Sequence, residues 1–361
     1  MQFDLDEDRE LLRQSTRELL QKEAPLAETR AVMEETPEGY AKGLFAQLGE
    51  LGYPSLLLSE AEGGMGALAF AATLAEMGRV ALPGPFLDLC LAVRVLAGCQ
   101  GDVAARWRDR AAAGEALVVL ARSEDANEAD PGAVEARCSD GCVKGTKTFV
   151  PFGAQADALL VETRDGLALV VRPGEGWHAT ALPTLDHAQR FAEIALDTPA
   201  GLVAQSSRAT ELLADAERLG SLGAAALLLG LMERSLELAV EYTGEREAFG
   251  VPIGSFQALQ HRCADMLLQV ESTRSVVFRA AWAEEADPAE AAYLVSVAKA
   301  WAGPAAREVC GQTIQLFGGV GFTWEYDPHI FLKRAKTLET FYGSTRSAEL
   351  AAFDRHARFG G

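Results

Sequence analysis

Positive charge is scarce in this chain of 361 residues: 33 Lys and Arg stand against 52 Asp and Glu, a formal net charge of -19. So acidic a surface repels nucleic-acid phosphates and anionic lipid headgroups, so neither is an expected partner, although a locally basic site can still hold a small anion. Long apolar runs are missing as well. Met1 to Glu10 is acidic and lacks the apolar centre of a signal peptide. The nearest approach to a membrane span, Leu219 to Met232, is too short and too rich in Ala and Gly. The expectation is a cytoplasmic protein without a membrane partner. Cysteine is sparse and scattered, at 90, 99, 138, 142, 263 and 310. Cys138 and Cys142 lack a following His or second Cys pair at metal-ligand distance, so no metal site is expected and the thiols read as reduced.

What is present is the balance of a globular protein, 49% hydrophobic and 24% charged, with length for two or three domains. Residues 1–115 read as an N-terminal helical domain. Asp6 to Lys22 opens with acids and repeats leucine at helical spacing, Gly43 to Gly52 is amphipathic, and Ala67 to Ala81 follows a turn at Gly63-Gly64-Met65-Gly66. Pro83-Gly84-Pro85 then punctuates the chain before Leu87 to Ala97. Residues 116–200 change character. Short apolar runs at 117–121, 145–152, 158–161 and 167–171, separated by Gly, Asp and Pro, predict antiparallel strands of a small β-barrel or sandwich ending near Pro199. Residues 201–361 return to helix, in periodic segments of about thirty residues at 209–242, 256–284 and 288–316, as in a four-helix bundle. Pro304 inside the third predicts a kink or a break. The fold class is mostly α with a small β domain.

Two motifs carry chemistry. Arg246-Glu247-Ala248-Phe249-Gly250-Val251-Pro252-Ile253-Gly254-Ser255-Phe256-Gln257 joins the first two long helices. Gln315-Leu316-Phe317-Gly318-Gly319-Val320-Gly321-Phe322 ends the third. Singly, each has a plain structural reading, a helix stop at Gly250 and Pro252 or a flexible glycine turn. Together they supply what a pyrophosphate needs: the forked donor of Arg246, and glycines that let backbone amides approach without a Cβ in the way. Phe249 and Phe256 offer flat apolar surface to a ring, and Gln257 and Gln315 offer neutral polar contacts.

In order and spacing these motifs, with His261-Arg262, Ala264-Asp265, Glu325-Tyr326 and Leu332-Lys333-Arg334-Ala335, resemble the acyl-CoA dehydrogenase family. The glycine turn at 63–66 resembles that family's Pro-Glu-x-x-Gly-Gly-x-Gly turn without its proline. The resemblance implies the three-part fold above and α,β-dehydrogenation of an acyl-CoA thioester by FAD, with an electron-transfer flavoprotein as acceptor. By it, Arg246, Phe249, Phe256, Gln257, Gln315, Gly318 and Gly319 hold the adenosine diphosphate half of a neighbouring subunit's flavin.

The departures from the family are grouped. Its base is a glutamate in a Tyr-Glu-Gly-Thr segment, which here reads Phe341-Tyr342-Gly343-Ser344-Thr345, so the base position is Tyr342. A neutral phenol with a reference pKa of about 10 is a poor general base near neutrality. Some members carry the glutamate on the first bundle helix. Glu217 lies about one turn too early for that, the matching position falling close to Gly220 and Ser221, and reads as a solvated acid beside Arg218. Glu339 is a weaker candidate. In the strand region the family's Thr-Glu-x-x-x-Gly-Ser stretch becomes Ala121 to Glu128 and keeps only the acid. Its Trp-x-Ser/Thr flavin contact becomes Phe149-Val150-Pro151, without hydroxyl or amide donor. The pattern resembles the degenerate, non-catalytic subunit of bacterial α2β2 acyl-CoA dehydrogenases, which lends its half-site to a catalytic partner. The alternatives are a homotetramer using Glu217 as base, or a non-redox protein that binds CoA thioesters on the same fold.

Overall fold

The structure is a computed structural model that describes residues 5–124, 134–172 and 174–356. Six helices come first: α1 (Glu7–Glu23), α2 (Leu26–Glu35), α3 (Lys42–Glu50), α4 (Gly66–Arg79), α5 (Phe86–Ala97) and α6 (Asp102–Ala112). Eight strands follow: β1 (Val118–Ala121), β2 (Arg137–Ser139), β3 (Cys142–Pro151), β4 (Ala158–Thr163), β5 (Gly166–Val171), β6 (Trp177–Leu182), β7 (Phe191–Pro199) and β8 (Gly201–Gln205). Then come α7 (Ser206–Glu245), the small hairpin of β9 (Glu247–Ala248) and β10 (Val251–Pro252), α8 (Gln257–Ala286), α9 (Pro288–Phe317), α10 (Pro328–Thr340) and α11 (Thr345–His356). The chain forms two compact units, one of Met1–Arg30, Ala67–Leu82 and Ser221–Gly361, the other of Ala31–Gly66 and Pro83–Gly220.

The second unit contains two four-stranded sheets, in the orders β1-β4-β5-β8 and β2-β3-β7-β6. Asp140 and Gly141, with φ of 51° and 71°, close the β2–β3 hairpin, because two left-handed residues match the twist of the flanking strands. One expectation fails here: β1 and β4 run parallel, Val118 opposite Ala158 through Ala121 opposite Val161. Their pairing spans residues about forty apart in sequence, so no local turn chemistry announces its direction. Strand β8 also continues the β region past Pro199.

In the first unit α8 and α9 carry thirty residues each, and α9 passes through Pro304 without a break. Ala302, Gly303, Ala305 and Ala306 are buried around that proline. Their packing outweighs the roughly 3 kcal/mol that an interior proline costs an unsupported helix. Helix α7 is 40 residues long, so the Leu219–Met232 stretch is part of a helix long and apolar enough to cross a membrane. Its most apolar window is mostly buried inside the protein, as in a core helix.

Helices α4 and the C-terminal part of α7 touch backbone to backbone. A Cβ added at Gly78 would fall 2.2 Å from the Leu227 carbonyl oxygen, and one at Gly230 would fall 1.9 Å from that of Ala75. Glycine is thus demanded by the crossing itself. Beside it, Glu76 is 3% exposed and accepts from Arg13 at 3.0 Å and Arg17 at 2.8 Å. Arg79 reaches Glu233 at 3.0 Å and Glu237 at 2.7 Å, so α1, α4 and α7 are joined by hydrogen-bonded ion pairs.

Candidate functional site

The two glycine-bearing motifs meet at one end of the helical unit. Helix α7 stops at Glu245, and Phe249 and Gly250, with φ of 55° and 81°, form the tip of the β9–β10 hairpin. The Ile253 amide donates to the Arg246 carbonyl at 2.8 Å and closes the loop before α8 begins. Phe249 is 97% exposed and its ring stands edge-on to Phe256 at 6.4 Å. A bulky side chain with left-handed backbone, displayed to solvent, earns nothing within this chain. Arg246 and Gln257 are exposed, and among the described residues no ion pair engages Arg246.

Opposite, α9 ends at Phe317, and the Gly318 amide caps it by donating to the carbonyls of Ile314 and Gln315. Gly318 has φ 67° and ψ -143°, which a side chain would resist. Cβ atoms built at Gly318 and Gly319 meet nothing within 4 Å, so this chain leaves the space beside them open. The hairpin and the glycine turn are brought together by Phe317, Tyr326 and Arg262 of the quoted motifs and by Tyr242 and Gln312, which sequence reading did not single out. Tyr242, one turn before Arg246, stacks on Phe317 at 4.1 Å and 13°, and Tyr326 sits edge-on to both rings at 6.2 and 5.7 Å. Arg262 at the start of α8 donates to Gln312 near the end of α9 at 2.6 Å. The sequence signal for this cluster is three aromatics in or beside the motifs in a chain with few of them.

The donor set fits the diphosphate half of a dinucleotide. It combines a free guanidinium, two exposed amide side chains, glycine backbone and two aromatic faces.

The position of the family's base is different. Tyr342 has φ 55°, and its carbonyl accepts from the Ser221 hydroxyl at 2.7 Å. The two places where the resemblance allows a glutamate, Tyr342 and the neighbourhood of Ser221, therefore touch, and both are neutral. Lys299 holds this turn from below. Its ammonium, on a residue 1% exposed, donates to the carbonyls of Leu338 at 2.9 Å, Glu339 at 3.1 Å and Gly343. Glu339 is committed elsewhere, in an ion pair with Arg307 at 2.7 Å.

Glu217, in the other unit, is an exposed acid next to Arg218 in the chain and has an ion pair with Arg122. Arg218 pairs with Asp215, while Glu217 meets Arg122 at 3.3 Å, and Arg122 also holds Glu162 at 3.0 Å. The reason is geometric: on the helix Arg218 faces residue 215 three positions back, and Glu217 points toward the end of β1. A 54% exposed carboxylate facing a guanidinium is solvated and paired, a poor base.

In the sheet unit the retained acid, Glu124, is a structural partner. Lys147, fully buried on β3, donates to it at 2.5 Å and to the Arg122 carbonyl at 2.9 Å. Burial pushes the Glu124 carboxyl up, but Lys147 and the amides of Glu135 and Ala136 outweigh it and hold the group below its ordinary range. Burial draws the Lys147 ammonium down despite Glu124, and we take the pair as ionised, because each charge is hydrogen-bonded. Residues 125–128 of the stretch compared with the flavin-contacting segment lie outside the described residues. Phe149 has φ 49° at a bulge between Lys147 and Val150, edge-on to Phe191 at 6.1 Å. Pro151 pairs in register with Phe191 and has no amide to give. Neither Phe149 nor Pro151 offers a side-chain hydrogen bond to the polar edge of a flavin ring.

Comparison with known proteins agrees with the fold. The acyl-CoA dehydrogenase N-terminal domain matches residues 6–115 and the acyl-CoA dehydrogenase C-terminal domain matches residues 213–350. Acyl-CoA dehydrogenase IpdE2 of Mycolicibacterium smegmatis is 32% identical over 348 residues, 95% of this chain and 96% of that protein. Among solved structures, the ChsE4-ChsE5 complex from Mycobacterium tuberculosis superposes with a TM-score of 0.88 at 27% identity, covering 99% of both chains. Glutaryl-CoA dehydrogenase from Mycobacterium smegmatis in complex with FADH2 has the same fold, with a TM-score of 0.86 at 21% identity over 99% of this chain and 96% of that one. The chain belongs to the acyl-CoA dehydrogenase family, flavoprotein oxidoreductases that act on acyl-CoA thioesters.

Proposed function

We propose that this chain is the non-catalytic subunit of a heteromeric α2β2 acyl-CoA dehydrogenase and completes the FAD site of a catalytic partner. The observation that carries the reading is a contrast. The set at Arg246, Gln257, Gln315, Gly318 and Gly319 is exposed, no ion pair engages Arg246 among the described residues, and the space beside both glycines is open, while the Gly318 amide caps α9. The positions where the family's base is expected hold Tyr342 and Ser221, neither a carboxylate, and in the strand unit Pro151 has no amide to donate. Bound across the interface, the flavin would supply the hydride acceptor for α,β-dehydrogenation. This chain's Arg246 would fix the pyrophosphate, the side-chain-free backbone at Gly318-Gly319 would let it come close, and Phe249 and Phe256 would cover the adenine. The solved ChsE4-ChsE5 complex, a pair of different chains, supports such an assembly by analogy. An electron-transfer flavoprotein as acceptor and a cytoplasmic location complete the proposal. The homotetramer with Glu217 as base is disfavoured by the Arg122 pairing.

The test is flavin absorbance and native mass of the chain alone and after co-expression with the partner. A colourless chain that becomes a yellow heterotetramer is expected, and Arg246→Ala should lower the flavin retained by it. A yellow homotetramer with one flavin per chain and acyl-CoA turnover would overturn the proposal.

A further inference from the structure

We infer that Arg30, on α2, is a positioning residue for the dinucleotide half-site and acts on it through the loop at residues 323–327. The inference rests on the half-site reading above. The geometry is a clamp. One guanidinium nitrogen of Arg30 donates to the Trp324 carbonyl, another lies 3.4 Å from the Asp327 carboxylate, and the guanidinium carbon is 5.4 Å from the centre of the Trp324 ring. Three grips by one planar group fix both the backbone and a side chain of a five-residue loop.

The backbone bonds of the loop are those of tight turns, Thr323 to Val320 at 3.0 Å, Tyr326 to Thr323 at 3.3 Å and Ile330 to Asp327 at 2.9 Å. Phe322 and Trp324 remain exposed, and Tyr326 packs its ring against Phe317 and Tyr242. Lys333 adds a second cation 4.6 Å from the Trp324 ring, and His329 meets that ring edge-on at 4.8 Å. These contacts fix the indole but not the backbone carbonyl.

Fixing this loop matters because of Tyr326. Its ring closes the cluster with Phe317, the residue before Gly318, and Tyr242, one turn before Arg246. The amides of the glycine turn and the Arg246 fork are aligned through that cluster. A displacement of the loop is passed to both, and phosphate recognition by backbone amides is sensitive to shifts well under 1 Å. These contacts of Arg30 are with the loop and not with Arg246 or the glycine turn, so the effect argued for it is on their alignment.

The experiment uses the flavin-bearing assembly with Arg30→Gln, Arg30→Lys and Arg246→Ala. Three readouts are taken: the FAD dissociation constant by titration of the stripped assembly, its thermal unfolding midpoint, and tryptophan emission. Arg30→Gln is expected to weaken FAD binding about tenfold, equivalent to about 1.4 kcal/mol of lost alignment. The unfolding midpoint should stay within a few degrees and the emission of Trp324 should shift. Arg30→Lys keeps the charge without the fork and is expected to recover part of the affinity, a rescue that general loss of packing would not give. FAD binding at the wild-type level in both Arg30 variants, with Arg246→Ala clearly weakened, overturns the inference and leaves the half-site reading standing. Unchanged binding in Arg246→Ala overturns both. Should Arg30→Gln fail to assemble, Arg30→Lys decides on the same scale.

Discussion

Replacing Lys299 by Met tests how the turn at 341–345 is held. Methionine keeps the length and most of the volume of the stem and deletes the ammonium. Two of its three acceptors, the carbonyls of Leu338 and Glu339, belong to the last turn of α10, where a helix has no amides of its own to satisfy them. The third, Gly343, fixes the chain just after Tyr342, which itself sits at a left-handed φ. Each buried carbonyl left without a donor costs about 1–3 kcal/mol, and relief from burying an ammonium returns part of the total. The net loss, on the scale of removing one member of a buried polar network, is about 3–5 kcal/mol. For a unit of this size that corresponds to a fall in Tm on the order of 10 °C. Differential scanning calorimetry reads the fall, and hydrogen exchange at the amides of residues 341–345 localises it. Lys299→Arg, too long for the pocket, should recover only part. A Tm within about 3 °C of wild type, with unchanged exchange, would refute the clamp and mean that the carbonyls find water instead.

Two further outcomes follow from geometry and charge. Gly230→Ala forces α4 and α7 apart and is expected to cost about 1–3 kcal/mol, measured as a lower urea midpoint at unchanged slope; an unaltered midpoint would mean the crossing yields freely. Glu10 is held down to about 2 from 4.5, chiefly by its hydrogen bond from Arg13. A depressed folded pKa stabilises above the unfolded value, so this contribution is present above pH 4.5 and disappears as pH falls toward 2. A pH titration of Tm should show wild type losing more over that window than Glu10→Gln, and parallel curves would contradict it.

How much of this was legible beforehand varies with the kind of interaction. The motif at Arg246 to Gln257 could be read because its residues are contiguous and its turn chemistry is local, and hairpin and helix start follow directly. The contrast at Tyr342 was visible as a change of residue type, but its contact with Ser221 was not, since 121 positions separate them. The parallel pairing of β1 with β4 and the burial of Lys147 against Glu124 are likewise long-range facts without a periodic signature. Helix α7 was legible as one periodic segment at 209–242, but nothing in the sequence marks Gly230 as the place where another helix crosses. Lys299 did leave a trace, a single cation within Ser296-Val297-Ala298-Lys299-Ala300-Trp301, the spacing of a buried helix face. Phe317 and Tyr326 were visible as members of the second motif, but their stacking with Tyr242, more than seventy positions away, was not.

Phe249, bare at the hairpin tip, has a consequence for how such a protein must be made. An apolar ring at 97% exposure beside exposed Phe256, in a unit that also exposes Phe322 and Trp324, is a sticky surface while uncovered. Under the proposed heteromeric assembly, chains synthesised ahead of their partner would accumulate in that sticky form and be open to aggregation or proteolysis. The yield of assembled protein would then follow the ratio and timing of synthesis of the two chains as much as the stability of either.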